Sequence, residues 1–341
     1  MRLILSIALL CLIHSSLKAQ NSEKLQTAEL FCELPTYCPT PDAFAIAPDG
    51  TLTLSCPNYV DANTPGVLMR IFKDGSYEKI GELPGIDEKR KARPVGLAYD
   101  DNGILYVCDN QGPNRSRVLA LSFKNGQIDK TEIVAQGMTG PNGLRYYKGA
   151  IYVTTPQLPK YNTQKLTSGV YRFTTNERNI TINSDSTDTH LIFTTQTQNP
   201  NRQFGLDGLA FNKKGHLLVG DFGDGTIYNL VLSKDGKVKK YSVYAQLPNT
   251  AGIDGMYIDE EDNIYVAGFS QNQIYKVDNK GRYELIADYP DNDGSKGELD
   301  QPADLIVYDG KLIIANFDLM VTEGMINSKH SKPYTLSFIE L

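Results

Sequence analysis

Tryptophan is absent from this chain, and its 341 residues include only four histidines and five cysteines. A scarcity of His and Cys disfavours zinc and leaves oxygen donors as the main ligating groups. Beyond the first residues, no apolar run approaches the roughly eighteen that a membrane-spanning helix requires. No basic cluster stands out either: 34 Lys+Arg face 40 Asp+Glu, for a net charge of −6. That balance excludes a nucleic-acid-binding surface as the main function. Apolar residues at 40% and charged residues at 22% exclude wholesale disorder. What is abundant points to strands and turns rather than long helices: 20 Tyr, 29 Gly and 17 Pro.

The N-terminus reads as a secretory signal peptide over residues 1–19. Arg2 supplies the positive start, Leu3 to Ile13 the apolar core, and Leu17-Lys18-Ala19 a small-residue cleavage site. Cys11 falls inside the apolar core rather than after the cleavage site, so no lipid anchor is expected. The remainder, 20–341, is expected to be one exported domain, periplasmic or secreted, with no membrane attachment after cleavage. Cys32, Cys38, Cys56 and Cys108 remain, and their pairing is open among the three arrangements that four cysteines allow. No His motif accompanies any of them, which speaks against a catalytic thiol.

The rest of the chain repeats. Six tetrads (Pro41-Asp42-Ala43-Phe44, Pro94-Val95-Gly96-Leu97, Pro141-Asn142-Gly143-Leu144, Leu206-Asp207-Gly208-Leu209, Ile253-Asp254-Gly255-Met256 and Pro302-Ala303-Asp304-Leu305) each lead through a turn into a second apolar strand. Their second residues are spaced about fifty apart, the period of a propeller blade. Third strands follow at 66–72, 117–123, 169–173, 226–232 and 273–277, and fourth strands at 77–84, 130–136, 241–248 and 283–290. The sixth unit ends after its third strand, and 25–35 resembles the missing fourth. The fold class is therefore all-β: a six-bladed β-propeller whose ring is closed by the N-terminal strand, which also removes two exposed edges.

In such a ring the second tetrad residues converge on one mouth of the central channel. They are Asp42, Val95, Asn142, Asp207, Asp254 and Ala303. Three carboxylates held face to face would repel, and a divalent cation is the simple means of holding them. Oxygen-only donors favour Ca²⁺ ahead of Mg²⁺, with Mn²⁺ and Zn²⁺ less suited. The competing explanation is that Asp or Asn before Gly is turn chemistry alone.

The repeats, above all GIDGMYIDEEDNIYVAGFSQNQIYKVDNKG in the fifth unit and GPNG in the third, resemble the senescence-marker-protein-30/gluconolactonase (regucalcin-like) family. The resemblance covers essentially the whole chain after the leader. It implies a propeller with one catalytic divalent metal, usually calcium, and hydrolysis of sugar lactones. By blade count the family's Glu, Asn, Asn and Asp ligands fall on Asp42, Asn142, Asp207 and Asp254. Asp42 and Asp207 depart from that pattern; the first is one methylene shorter, and the second adds a negative charge. Asp254 matches the position usually given the role of general base, and Asp207 is the second candidate for that role.

Loops at the same mouth should contact the substrate through Tyr59, Tyr161, Arg202 and His330, and such groups suit a polar, acidic, sugar-like ligand. Asp109 and Asp221 follow second strands and could orient the site from behind. The expected activity is a metal-dependent lactonase acting on a small molecule, with no signal for oligomeric state. Two alternatives stand beside it: a phosphotriesterase-like or carbohydrate-acting hydrolase on the same metal, and a non-catalytic NHL-type propeller that binds a glycan or protein.

Overall fold

The computed structural model describes residues 25–341; the expected leader over 1–19 lies outside the described residues. The described chain is built almost wholly of strands, with two single-turn 3₁₀ segments at Pro159–Tyr161 and Phe269–Gln271. No helix among the described residues is long and apolar enough to cross a membrane.

Each repeat forms one antiparallel sheet. Blade one runs Phe44–Ile46, Leu52–Cys56, Val67–Ile71, Tyr77–Glu82 from the axis outward, and blades three, four and five repeat the same order. Blade two has a fifth strand, Ile180–Thr181, which crosses from blade three to pair in parallel with Gln127–Met138. That pairing gives the polar stretch inside the third repeat a place in the sheet. Blade six takes Pro302–Tyr308, Lys311–Asn316 and Thr335–Glu340 from the C-terminus. Its outer strand, Glu29–Glu33, comes from the other end of the chain. The innermost strands touch their neighbours all round, and that of blade six touches that of blade one, so six sheets close into a ring.

Burial follows the distance from the axis. The second strands of blades one, two, four and five are buried at every residue, whereas an outer strand such as Tyr77–Glu82 buries only Ile80. Both faces of an inner strand meet neighbouring blades, which is why Leu-Leu-Val and Ile-Tyr-Val runs occur there instead of strict alternation. The main apolar clusters lie between adjacent blades, such as Leu54, Met69 and Ile71 packed with Ile313, Ala315 and Phe338.

A Cys38–Cys56 disulfide joins the connection after the closing strand to the second strand of blade one, with Cα atoms 5.4 Å apart. Cys32 and Cys108 are free. Burial pushes the Cys32 thiol up to about 12 and that of Cys108 well above its ordinary value, so neither is a nucleophile at neutral pH.

Candidate functional site

The third residue of each tetrad explains how the mouth is assembled. It is Ala43, Gly96, Gly143, Gly208, Gly255 and Asp304 in blade order. None of the four glycines has a positive φ, so a left-handed turn is not what they supply. A methyl group on Gly96 would lie 2.1 Å from the Asn142 oxygen, one on Gly143 2.5 Å from that of Asp207, and one on Gly208 2.0 Å from that of Asp254. Glycine here allows the inner strands to approach until each site residue's carbonyl rests on the preceding blade. The Asp-Gly and Asn-Gly pairs are thus devices of close packing, which sets aside their reading as turns.

Asp42, Asn142, Asp207 and Asp254 line one cavity at the mouth of the channel. They come from blades one, three, four and five. The Asn142 amide donates from Nδ2 to Asp207 Oδ2 at 2.9 Å. Asp207 is buried, while the other three keep a partly exposed side. Burial raises the Asp207 carboxyl to about 8 against the pull of the Asn142 bond, with Asp304 and Asp221 adding repulsion. Asp42 is raised by burial and then by Asp207 and Asp304; Asp254 is raised by burial and then by Asp207, Asp42 and Asp304.

Two charged residues in the same channel were not anticipated from the sequence. Asp304 lies below the mouth, where Oδ2 accepts the Phe44 backbone N–H at 3.1 Å and Oδ1 has no hydrogen-bond partner. Arg145 reaches toward it from blade three, Nη2 to Oδ1 at 3.6 Å, and donates to the carbonyl oxygens of Leu144 and Met256. Asp304 carried a visible signal, since it stands where the other five tetrads have Gly or Ala.

Among the described residues, no three or more His, Cys, Asp or Glu side chains are drawn together tightly enough to hold an ion by themselves. The donor chemistry nevertheless fits a hard divalent cation. All four donors are oxygens, one is an amide, and Asp42 and Asp254 are raised first by burial and then by repulsion from neighbouring carboxylates, which a cation would relieve.

The four loop residues expected at the site divide evenly. Tyr59 and Arg202 line the cavity. The Arg202 guanidinium is committed to structure: it donates to the Asn249 and Gly324 oxygens at 3.1 and 2.9 Å and lies 5.7 Å from the centre of the Phe222 ring. Tyr161 and His330 do not line it. Tyr161 ends a 3₁₀ turn packed on the core between blades two and three, beside a separate surface depression with Asp188 and Leu191. His330 is drawn to the Asp318 carbonyl through Nδ1 and stacks on Tyr334, so it pins the base of its loop instead of facing the cavity. Of the two residues behind the mouth, Asp109 is paired with Arg117 at 2.7 Å. Asp221 accepts the Asp224 N–H and the Thr197 hydroxyl, and burial raises it to about 7.

The largest departure from expectation is the cavity wall. Its volume is about 690 Å³, and Phe204, Phe222, Phe269 and Phe317 line it together with Leu319 and Met325. Phe222, Phe269 and Phe317 each follow directly on the second strand of their blade, in VGDF, VAGF and IANF. Recurrence at one position of three successive repeats was the signal that could have found them.

Residues 146–292 match the family model described as SMP-30/Gluconolactonase/LRE-like region. No curated protein matches the sequence. Among solved structures the chain is similar to a calcium-binding protein, regucalcin, from Agrobacterium tumefaciens, at 13% identity and TM-score 0.60 over 92% of this chain and 93% of that one. It is similar to a gluconolactonase from Xanthomonas campestris at 14% identity and TM-score 0.55, over 94% and 99%. A PQQ-bound aldose sugar dehydrogenase from Streptomyces coelicolor is as near, at 14% and 0.57 over 92% and 98%. At such identities these likenesses establish the propeller and nothing about its chemistry. The region that matches the SMP-30/gluconolactonase-like family model, residues 146–292, holds Asp207 and Asp254, while Asp42 and Asn142 lie before it.

Proposed function

We propose that the chain is an exported, metal-dependent hydrolase of lactones or closely related esters. The observation that carries this reading is the convergence of Asp42, Asn142, Asp207 and Asp254 from four blades on one cavity. A scaffold that only binds another protein has no use for three carboxylates gathered at that point, one buried and two half-buried, because their ionised forms are costly without a counter-ion.

Asp42, Asn142, Asp207 and Asp254 would hold the ion. When bound, a hard divalent cation supplies Lewis-acid polarisation of a carbonyl oxygen. The chain's own groups do the rest. Asn142 fixes the Asp207 carboxylate through its 2.9 Å bond to Oδ2, which leaves Oδ1 as the oxygen not held by Asn142. Asp254, on the cavity floor, accepts a proton from the attacking water as the water oxygen bonds to the acyl carbon. The ring C–O bond then breaks, and Asp254 returns that proton to the leaving oxygen to give the hydroxy acid. The aromatic wall keeps bulk water from one side of the site, which strengthens the electrostatics within it.

The test is metal content and thermal melting of the purified protein, with EDTA and with added Ca²⁺. A specific ion at a hundredfold excess over its Kd stabilises by about 2.7 kcal/mol. One equivalent of bound metal, a gain in melting temperature lost in Asp207→Ala and Asp254→Ala, and lactone hydrolysis abolished in Asp254→Asn are expected. No bound metal and no shift would overturn the hydrolase. Export is checked separately by cell fractionation and N-terminal sequencing.

A further inference from the structure

The carboxylates occupy the floor of the cavity, but the wall above them on one side is hydrocarbon. Phe204 meets Phe222 at 5.1 Å between ring centres, Phe222 meets Phe269 at 5.8 Å, Phe269 meets Phe317 at 5.7 Å, and Phe317 meets Tyr59 at 6.1 Å. Five rings thus form an unbroken arc from the crossing between blades three and four round to blade one. The four phenylalanines form an apolar cluster of their own with Ala303, Leu319 and Met325, apart from the clusters between blades. Leu319 and Met325, on the loop of blade six, extend the wall outward.

A wall of this kind is a poor match for a free sugar lactone. Each ring hydroxyl of a sugar needs a partner when it leaves water, and the four phenyl rings of the arc offer none; the polar groups of the lining are Tyr59, Asn110, Asn201, Gln203, Thr322 and Glu323 beside the carboxylate floor. Arg202, beside Phe222, commits one N–H of Nη1 and one of Nη2 to the Asn249 and Gly324 carbonyls. The cavity, at about 690 Å³, is also large for a monosaccharide and falls in the range of pockets that enclose drug-sized ligands.

We infer that the substrate is a lactone or ester bearing an extended apolar arm, an alkyl chain or aryl group, which lies along the Phe204–Phe222–Phe269–Phe317 arc while its carbonyl sits over the carboxylate floor. This inference rests on the hydrolase reading for the carbonyl end; the arc carries the apolar end independently. Three blades place Phe at the same position, so the wall is a repeated feature of the mouth and not one stray ring.

The test uses δ-lactones whose alkyl arm grows from methyl to heptyl, with glucono-δ-lactone as the polar comparator. The corresponding lactams, which keep the carbonyl but resist hydrolysis, are measured by calorimetry. The expected result is a rise in kcat/KM and in lactam affinity of about three- to fourfold per added methylene, with glucono-δ-lactone turned over poorly. Phe317→Ala and the milder Phe222→Leu should each flatten that dependence while the protein still melts cooperatively. Lactones hydrolysed with no gain along the series, or glucono-δ-lactone preferred, would overturn the apolar arm and leave the hydrolase standing. Chain-length-dependent lactam binding without hydrolysis of any lactone would keep the arm and remove the hydrolase. Neither binding nor turnover would remove both.

Discussion

Asn142 Nδ2 donates to Asp207 Oδ2 at 2.9 Å, tying blade three to blade four at the channel mouth. The bond satisfies one oxygen of a buried carboxylate that otherwise faces repulsion from Asp304 and Asp221. Asp207→Asn keeps an acceptor for Asn142 and removes one negative charge from the cluster. Without a cation the variant should be more stable than the native protein, on the order of 1–3 kcal/mol. With Ca²⁺ in excess the order should reverse, because a donor charge has been lost. Melting curves with EDTA and with Ca²⁺ read both signs, and a variant that shifts the same way under both conditions would count against a cation site.

Arg145 faces Asp304 in the channel with 3.6 Å between Nη2 and Oδ1, and the carboxylate is buried. Removing the arginine leaves that acid with backbone N–H groups, those of Phe44 and Leu305, and no charged partner. Arg145→Met should therefore cost about 3 kcal/mol, the usual result of orphaning one partner of a buried pair. Asp304→Asn in the same chain should recover much of the loss. A double-mutant cycle by denaturant unfolding checks this, and additive losses would show that the two side chains do not act as a pair.

The propeller was legible because its cause is periodic. The tetrads recur about every fifty residues, and the closing strand Glu29–Glu33 reads like the outer strands of other blades. Asp42, Asn142, Asp207 and Asp254 were legible for the same reason, since equivalent positions in a ring must converge. Tyr161 and His330 were not, because loop membership does not fix direction: a 3₁₀ turn docks the first, and Asp318 draws in the second. Arg145 was hidden by chemistry that no repeat encodes, being a lone charge answering a lone charge. Asp304 and the three Phe residues were periodic departures and visible in principle, but only once the third tetrad position and the residue after the second strand had been aligned.

Asp300 lies at the base of the blade six loop, buried and raised to about 8 by that burial and by Asp318. Below about pH 4 the folded and unfolded chains both hold this proton. Between there and about pH 8 the folded chain keeps a proton that the unfolded chain has released, so stability falls as pH rises through this window. Asp300→Asn should remove that slope, with a gain of a few kcal/mol, in order of magnitude, near pH 8 and little at pH 4. Its amide would also have Asn327 Oδ1 to donate to, an atom with no hydrogen-bond partner among the described residues. Melts of both proteins across that range check it; an equal difference at both ends would mean that Asp300 does not titrate with folding.

Gly208 separates the close-packing account of the tetrads from the turn account. A methyl there would sit 2.0 Å from the Asp254 oxygen and 3.0 Å from Met256 Cγ, and backbone is on the other side of the first contact. Gly208→Ala should destabilise by about 2–3 kcal/mol or more, since relief requires the inner strands of blades four and five to part. Gly50 provides the control: its φ is +81°, with nothing within 4 Å of an added methyl. Gly50→Ala should cost only the left-handed backbone penalty, about 1 kcal/mol. The strand separation would also carry Asp254 away from Asp207, so Gly208→Ala should lose Ca²⁺-dependent stabilisation that Gly50→Ala retains. Equal losses in the two variants, with the Ca²⁺ response intact in both, would mean that the spacing of the inner strands does not set the geometry of the mouth.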